Sequence, residues 1–573
     1  MKQALKNPNK KKIWINTLFS ISTFIILLIF ITNLFIVLGW LVKIPITKLH
    51  FPLAVIISFI VNYLIQKKYR DTTLKEYLFT IIFGIIIIGF SLLISNLFFD
   101  ISFDGGWYHS DAIVRLKNGW NPIYELINNG MFSDVYNDCY ASKSVWGFSA
   151  AVYSFTGFIN STKIMSTLLA IGVSCFSISI FGKITKNKIQ LIAIILISLL
   201  IGFNPIYLSQ MYTNYLDSSL GLLSIFYILL FMAKELKQMD FKDRPFQILC
   251  SLLIAIMMNI KLTGLFFAAV FFLLFVIKDF YKILKQKDSK AFLRIFFTGF
   301  IGVMLGLFLG INPYLTNVIR GHNIFHPIFG SEKIEVMGAN VPEALRDKTN
   351  IEKIIFANFS KSAIGTKLEE TVFKSPLNIS LMEYKGMNQD TRVGSFGAAF
   401  ALLLTISSLV TIIYSKQLFM KEKNEELNTI KKALWKTIII ILIIAVIFPE
   451  AWWGRYYVPL FIIPLLIAIY LIFQSSKIKQ TIAIIIILIN VGNSLLVEGG
   501  LLKYNVENST PMTEYLQTIK GKHVYYNCYD PGFHKWERAF GAYFEEFDVH
   551  GIPNYDKLEY DFIGGKTSIK VID

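Results

Sequence analysis

Apolar runs long enough to cross a membrane recur along most of this chain, and they constrain its fold more than any other feature. A transmembrane helix needs about 20 predominantly apolar residues to span a hydrocarbon core about 30 Å thick. Runs near this length predict about thirteen helices, close to residues 13–42, 51–66, 77–99, 162–182, 189–203, 218–233, 245–258, 263–280, 293–311, 394–414, 435–448, 456–473 and 480–497. Because 54% of the residues are hydrophobic, an ordinary soluble domain is excluded. We therefore predict an all-α polytopic membrane protein.

Lysine and arginine are distributed unevenly between the two sides of this predicted bundle. With the N-terminus in the cytoplasm, about thirty of them lie on the cytoplasmic side and about four in the short outer loops, as the positive-inside rule requires. This topology and the anionic lipid of the inner leaflet account for the net charge of +17 without a nucleic acid partner. We predict a multi-pass plasma-membrane protein with an extracytoplasmic active site and C-terminus. The bias towards Ile, Lys and Asn favours a bacterial source.

The predicted topology divides the chain into three parts. Residues 1–76 form an N-terminal helix pair with basic cytoplasmic flanks, and residues 77–497 form a transmembrane module. The module carries three outer loops, at 100–145, 204–217 and 312–392. Residues 498–573 change to a soluble composition with alternating polar and apolar positions, which predicts a small extracytoplasmic α/β domain. Cys528 of this domain and Cys139 of the first outer loop share one compartment, so a disulfide between them stays open.

An acidic, glycine-rich and aromatic segment, residues 103–109, follows the predicted helix at 77–99. A carboxylate at a membrane boundary is costly unless it is used, so Asp104 is a candidate functional residue. Gly105 permits a tight turn after it. Trp107 suits the interface between water and lipid, and we predict that it contacts substrate.

The second outer loop places another carboxylate, Asp217, at the start of the next predicted helix. Asp217 is either a second catalytic acid or simply a group that stabilises a helix N-terminus. Gln210 and Tyr212 of the same loop are predicted to bind substrate through their polar groups. In the first loop, His109 and Asp111 are predicted to shape the acceptor site.

Three cations stand at predicted outer helix ends, namely Lys261, Arg320 and Arg455. Arg455 is the strongest candidate for binding an anion, because a guanidinium engages two phosphate oxygens at once. The alternative is an interfacial arginine that extends to water beside an aromatic belt. Lys261 carries the same two interpretations.

Two histidines, His322 and His326, are spaced by four residues. On a helix this spacing would place both imidazoles on one face, as in metal sites. Gly321 and Pro327 argue against a helix, and no acidic or cysteine ligand stands in register. We therefore predict no metal ligands, and we predict that His322 contacts substrate, the alternative being ordinary polarity of a loop.

Several of these segments together resemble the GT-C superfamily of integral-membrane glycosyltransferases. The similarity is to a bacterial branch of that superfamily and covers most of residues 77–460. It includes an acid just after a membrane helix and a second acid in the next outer loop. The blocks that carry it are FDGGWYH (103–109), GWNP (119–122), NPIYLSQMYTNYLD (204–217), NIKLTG (259–264), GINPYLTN (310–317) and PEAWWGRYYVP (449–459).

The resemblance implies transfer of a sugar from a polyprenyl-phosphate donor to a glycan, lipid or protein acceptor on the outer face. Asp104 would be the general base, Asp217 the second catalytic acid, and Arg455 a cation for the departing phosphate. The sequence has neither a DxD motif nor an adjacent Asp-Glu pair at Asp104. A divalent metal therefore stays an open alternative, and no cofactor is assigned.

Two other functions remain open at this point. A carrier or flippase for lipid-linked saccharides would line its pathway with Asp104, Lys261 and Arg455. Transporters usually hold such groups near the bilayer midplane, whereas these acids lie in outer loops, which favours an enzyme. A polysaccharide polymerase or ligase is the second enzymatic alternative.

Overall fold

The computed structural model describes residues 8–128, 137, 143–326, 340–364, 373–415, 420, 422, 424–528, 537–554, 560–562 and 567–572. Cys139 and parts of the first and third outer loops lie outside these ranges, so the disulfide considered above is not described. Within them the fold is mostly helical, and short strands occur in the third outer loop and at the C-terminus.

Helices account for most of the described residues. The first ten are α1 (Pro8–Leu41), α2 (His50–Arg70), α3 (Leu74–Ser95), α4 (Ser110–Lys117), α5 (Lys143–Thr156), α6 (Ile164–Phe181), α7 (Lys188–Gly202), α8 (Pro205–Gln210), α9 (Asp217–Glu235) and α10 (Arg244–Met258). The others are α11 (Leu262–Gln286), α12 (Ser289–Leu309), α13 (Thr316–Ile319), α14 (Asn350–Asn358), α15 (Leu381–Gly386), α16 (Phe400–Ile413), α17 (Glu425–Ile447), α18 (Ile462–Ile472), α19 (Lys477–Thr518) and α20 (Glu537–Glu546). The strands are β1 (Ala363–Ile364), β2 (Thr391–Val393), β3 (His523–Asn527), β4 (His550–Pro553), β5 (Tyr560–Phe562) and β6 (Thr567–Val571).

Each of the thirteen predicted apolar segments coincides with a helix. Eight of the described helices are long and apolar enough to cross a membrane, namely α1, α2, α3, α6, α9, α11, α12 and α19. Four other helical segments are apolar but shorter, namely α7, α10, α16 and Val458–Ile472, which ends in α18. Helix α17 begins with a charged turn. The described chain is therefore mostly helical and contains several helices of membrane-spanning length. The thirteen crossings remain a prediction.

The contacts between segments fall into two groups that follow the predicted topology. Helix ends and loops predicted to be cytoplasmic make polar contacts with one another, through Lys11 and Thr185 (2.8 Å), Lys436 and Glu235 (2.7 Å), and Lys234 and Asp279. Loops predicted to be outside do the same, through Asn121 and the Trp40 carbonyl (2.9 Å), and Asn312 and the Pro122 carbonyl (2.9 Å). We call these the inner and outer ends.

The last long helix crosses the predicted boundary between residues 497 and 498. Helix α19 has 42 residues, which correspond to about 63 Å, roughly twice the hydrocarbon thickness. It leads into a four-stranded sheet of order β4-β3-β6-β5, in which β3 and β4 are parallel and the other pairs antiparallel. The small C-terminal α/β unit is therefore the continuation of a membrane-length helix.

This C-terminal unit packs on the first outer loop. The Tyr543 hydroxyl of α20 accepts a hydrogen bond from the Asp100 backbone N–H at 3.1 Å. Arg538 forms an ion pair with Asp111 at 2.9 Å. The Phe99 ring lies edge-on to Tyr543, with centroids 4.2 Å apart. The sheet domain therefore supports the loop that carries Asp104.

Candidate functional site

Arg455 lies at the centre of a charged cluster at the outer end. Its Nε is 3.3 Å from an Asp217 carboxylate oxygen, and its Nη2 is 3.4 Å from Asp104 Oδ2. Its Nη1 is paired with Asp390. One guanidinium thus meets carboxylates from the first, second and third outer loops. We call Arg455, Lys261, Asp104, Asp217 and Asp390 the Arg455 cluster.

Lys261 enters the cluster from the turn between α10 and α11. Its ammonium lies 3.0 Å from Asp217 Oδ1 and 4.3 Å from the centre of the Tyr456 ring. Asp217 therefore binds two cations through its two oxygens, and its side chain is only 5% exposed. The cap of α9 is provided instead by Gln210, whose Oε1 accepts a hydrogen bond from Ser218 N at 2.8 Å. Asp217 begins the helix, but its side chain is used for ion pairing.

Aromatic rings surround the Arg455 guanidinium where water would otherwise solvate it. The guanidinium carbon lies 4.2 Å from the Trp453 ring centre, 5.0 Å from Tyr456 and 5.1 Å from Tyr215. The Tyr215 hydroxyl also donates a hydrogen bond to Asp390 at 2.9 Å. Such desolvated cation–π contacts hold the positive charge in one orientation.

Asp390 and Arg392 belong to this site, and the sequence reasoning did not select them. Asp390 pairs with Arg455, and the Arg392 guanidinium carbon lies 4.3 Å from the centre of the Trp453 ring. Three acids and three cations then meet at one place, so their formal charges balance. The sequence could have indicated both residues, because Asp390-Thr391-Arg392 places two charges close to the start of the apolar helix α16.

Asp100, just before the acidic segment, connects the first two outer loops. Its carboxylate accepts hydrogen bonds from Ser102 N at 3.0 Å and from Asn214 N at 2.6 Å. A Cβ on Gly105 would lie 2.3 Å from Asp100 Oδ2, so a larger residue does not fit there. The expected tight turn is a π-helical turn, Gly105–His109, in which glycine is required for packing. Asp100 thereby fixes the backbone that carries Asp104.

Burial affects the protonation of Asp104, just before that turn, and of His109 at its end. Loss of solvent raises the pKa of Asp104 above its usual value, and the positive charge of Arg455 opposes this. Burial lowers the pKa of His109 to about 3. His109 Nδ1 accepts a hydrogen bond from the Trp146 indole N–H at 2.9 Å. His109 is therefore neutral, and its proton resides on Nε2.

The other predicted substrate residues of the first loop have different surroundings. Asp111 is engaged by Arg115 at 2.5 Å and by Arg538 of the C-terminal unit. It therefore ties α4 to α20 and is not part of the Arg455 cluster. Trp107 is partly exposed and packs edge-on against Phe103, with centroids 4.8 Å apart.

The remaining predicted residues lie around the cluster or away from it. Gln210 is buried beside α9, as described above, and its amide nitrogen has no partner among the described residues. The Tyr212 hydroxyl donates to Glu498 of α19 at 3.0 Å. His322 stacks on His326 with ring centres 4.5 Å apart, and these rings make no three-ligand metal group with other described residues.

The geometry therefore joins four residues that the sequence selected separately, Asp104, Asp217, Lys261 and Arg455. Throughout the described ranges, no three His, Cys, Asp or Glu side chains are arranged to hold a metal ion. In comparisons with protein-family models and with curated proteins, nothing matches this chain.

Proposed function

We propose that this protein is a membrane glycosyltransferase of the GT-C type. It transfers a sugar from a polyprenyl-phosphate carrier to an acceptor at the outer face of the plasma membrane. The observation that carries the proposal is the meeting of Asp104, Asp217, Lys261 and Arg455 in one cluster. A base and an anion-binding cation within one site are what single displacement at an anomeric carbon requires.

In this reaction Asp104 removes the proton from an acceptor hydroxyl as its oxygen attacks the anomeric carbon. The bond from that carbon to the phosphate oxygen breaks, and polyprenyl phosphate leaves with the electron pair. The configuration at the anomeric carbon is inverted. The raised pKa of Asp104 supports this role, because a base whose pKa is nearer the working pH accepts a proton more readily.

Exposure separates the roles of the acids. The side chains of Asp104 and Asp390 are 21% and 23% exposed, and they line the accessible edge of the cluster. Asp217, in contrast, is buried between Lys261 and Arg455, which suits a residue that orients both cations. In the proposed donor complex the sugar phosphate replaces a carboxylate on the Arg455 fork, since both groups bind guanidinium in the same bidentate way.

The location of the cluster restricts the donor. It lies at the end of the bundle away from the lysine-rich loops, and the positive-inside rule places those loops in the cytoplasm. Soluble nucleotide sugars are cytoplasmic, so an outer site uses a donor already attached to lipid. Trp453 and Tyr456 beside Arg455 suit a headgroup that approaches from the membrane.

The test compares wild type with Asp104→Asn in a purified, detergent-solubilised assay. Release of polyprenyl phosphate is measured from a panel of polyprenyl-phosphate sugars with cell-envelope acceptors. We expect Asp104→Asn to lose activity by about 10²- to 10⁴-fold while it still binds donor. Asp347→Asn, an exposed acid of the third outer loop, is the matched control and should retain wild-type activity.

A second assay distinguishes the enzyme from a carrier. Labelled lipid-linked saccharide is followed across proteoliposome membranes in the absence of acceptor. If labelled lipid crosses while neither wild type nor Asp104→Asn consumes any donor, the transferase proposal is wrong. Transfer of whole glycan chains instead of single sugars would indicate a polymerase or ligase.

A further inference from the structure

A groove lies between α10 and α12 at the inner end, remote from the Arg455 cluster. Helix α10 begins at Arg244 and ends three residues before Lys261, so its 15 residues separate the Arg244 end of the groove from Lys261 by about 22 Å. The groove has a volume of about 480 Å³, which is within the range of ligand-binding sites. We call it the α10–α12 groove.

The walls of the groove are apolar, and its inner mouth is cationic. Ile248 and Leu252 of α10 face Phe297 and Ile301 of α12 across it, and Leu305 lines it farther along. Arg244 and Arg294 line its mouth. This combination fits a ligand with one anionic end and a long apolar tail.

No acid among the described residues neutralises either arginine. Arg244 donates from Nη1 to Gln247 Oε1 at 2.7 Å, which directs its guanidinium along the first turn of α10. In the part of the chain that the structure describes, neither Arg244 nor Arg294 forms an ion pair with an acid. By contrast, the guanidinium of Arg455 is enclosed by three carboxylates. The mouth of the groove thus presents two positive charges that an anion can bind.

The two helices are held together firmly enough to keep the groove in shape. The Ser251 hydroxyl of α10 donates to the Thr298 carbonyl of α12 at 2.8 Å. Farther along, a Cβ on Gly302 would lie 2.9 Å from Ile254 Cβ, so the helices touch there. The groove therefore lies beside a region in which α10 and α12 are in direct contact.

The length of the groove matches one leaflet of a bilayer. From Arg294 to Leu305 it follows α12 for about 16 Å, and half of a hydrocarbon core is about 15 Å. Large side chains of α12 next to the groove, including Phe296 and Phe300, are exposed. An acyl chain that starts at the arginines would run along apolar residues as far as the bilayer midplane.

We propose that the α10–α12 groove binds one anionic phospholipid of the inner leaflet. Its phosphate contacts Arg244 and Arg294, and one acyl chain lies along Leu252, Phe297 and Leu305. Two guanidinium groups at the level of the headgroups, neither with an acidic partner among the described residues, favour an anionic over a zwitterionic lipid. This site does not depend on the reaction proposed above.

The experiment uses the purified full-length protein in detergent and phosphatidylglycerol with a photoreactive acyl chain. Adducts are located by mass spectrometry, and unlabelled phosphatidylglycerol or phosphatidylcholine is added as competitor. We expect adducts on residues that line the groove, and competition by phosphatidylglycerol at lower concentration. The double variant Arg244→Gln/Arg294→Gln should bind about 30-fold more weakly, which corresponds to about fivefold per arginine.

The matched control removes two charges from the same end of the bundle but outside the groove. Lys285→Gln/Lys290→Gln changes two exposed lysines and should retain wild-type labelling. The melting temperature of each variant without added lipid shows that it is folded. Equal losses in both double variants, equal competition by phosphatidylcholine, adducts elsewhere, or a dimer that excludes the probe would each overturn the proposal.

Discussion

The Arg455 cluster at the outer end and the Lys186–Glu426 pair at the inner end are both ionic, but their environments are opposite. The side chains of Arg455 and Asp217 are 7% and 5% exposed, whereas those of Lys186 and Glu426 are 60% and 43% exposed. Burial of charges costs several kcal/mol per ion, and mutual attraction often fails to compensate. An exposed pair avoids that cost and contributes little. The Arg455 cluster therefore contributes little to the free energy of unfolding for the cost of burying its charges. This favours a role for the cluster in binding and chemistry.

The largest expected effect comes from removal of the central cation. Arg455→Met leaves three carboxylates around an apolar side chain, and we expect it to destabilise the protein by about 3–5 kcal/mol. Thermal unfolding in detergent measures this effect. A triple variant that combines Arg455→Met with Asp104→Asn and Asp390→Asn should recover stability, because Asp217 keeps Lys261 as its partner and no carboxylate of the cluster is left without a cation. A single variant as stable as wild type would contradict the buried arrangement.

The pH dependence of stability tests the burial of His109. Its pKa is about 3 in the folded protein and about 6.5 when unfolded, so between these values the unfolded chain binds the additional proton. The stabilisation from neutral His109 is therefore complete above pH 6.5 and is lost as the pH falls towards 3. Unfolding measured from pH 7 to 4 should show a steeper decline for wild type than for His109→Gln. Identical slopes would mean that His109 is solvated.

A smaller effect is expected where Asp100 packs against the glycine turn. Gly105→Ala places a methyl group against Asp100 and Ser102, and we expect a loss of about 1–3 kcal/mol. Gly492→Ala in α19 is the matched control, because nothing lies within 4 Å of its added Cβ. Gly492→Ala should raise the free energy of unfolding by up to about 1 kcal/mol, because alanine favours helix more than glycine does. Equal melting temperatures for the two variants would exclude close packing at Asp100.

The smallest change in stability should come from the exposed Lys186–Glu426 pair. Lys186→Gln removes one charge of the Lys186–Glu426 pair, and we expect a change of about 0–1 kcal/mol. The difference should vanish at high salt, because solvent ions screen exposed charges. A loss as large as that of Arg455→Met would remove the distinction between the two ends.

Much of the helical framework was predictable because hydrophobicity is a local property. Each apolar run became a helix, and capping residues refined the limits. For example, α3 begins at Leu74 rather than at 77, since Thr73 accepts a hydrogen bond from Glu76 N and the Glu76 carboxylate bonds back to Thr73 N. The predicted limit at 497 did not coincide with the end of a helix. Composition changes there, but backbone hydrogen bonding continues through α19 to Thr518.

The candidate site was predictable in part for the same reason. Asp104, Asp217, Lys261 and Arg455 were selected because a charge next to an apolar run is costly wherever the chain folds. Asp390 and Asp100 also stand next to such runs, but nothing local distinguishes a residue that pairs with Arg455 from one that fixes a loop. Asp111 illustrates the reverse case, because its proximity to Asp104 along the chain did not bring it into the cluster.

The sequence alone determined that this chain forms membrane-length helices and which charges stand at their ends, since both follow from the free energy of transferring individual residues out of water. Only the tertiary structure decided that Asp104 and Asp390 meet on one guanidinium, that His109 is neutral, and that two arginines of the inner end have no acidic partner among the described residues. Those properties depend on contacts between residues tens to hundreds of positions apart. Helix packing sets such contacts, and no local pattern encodes them.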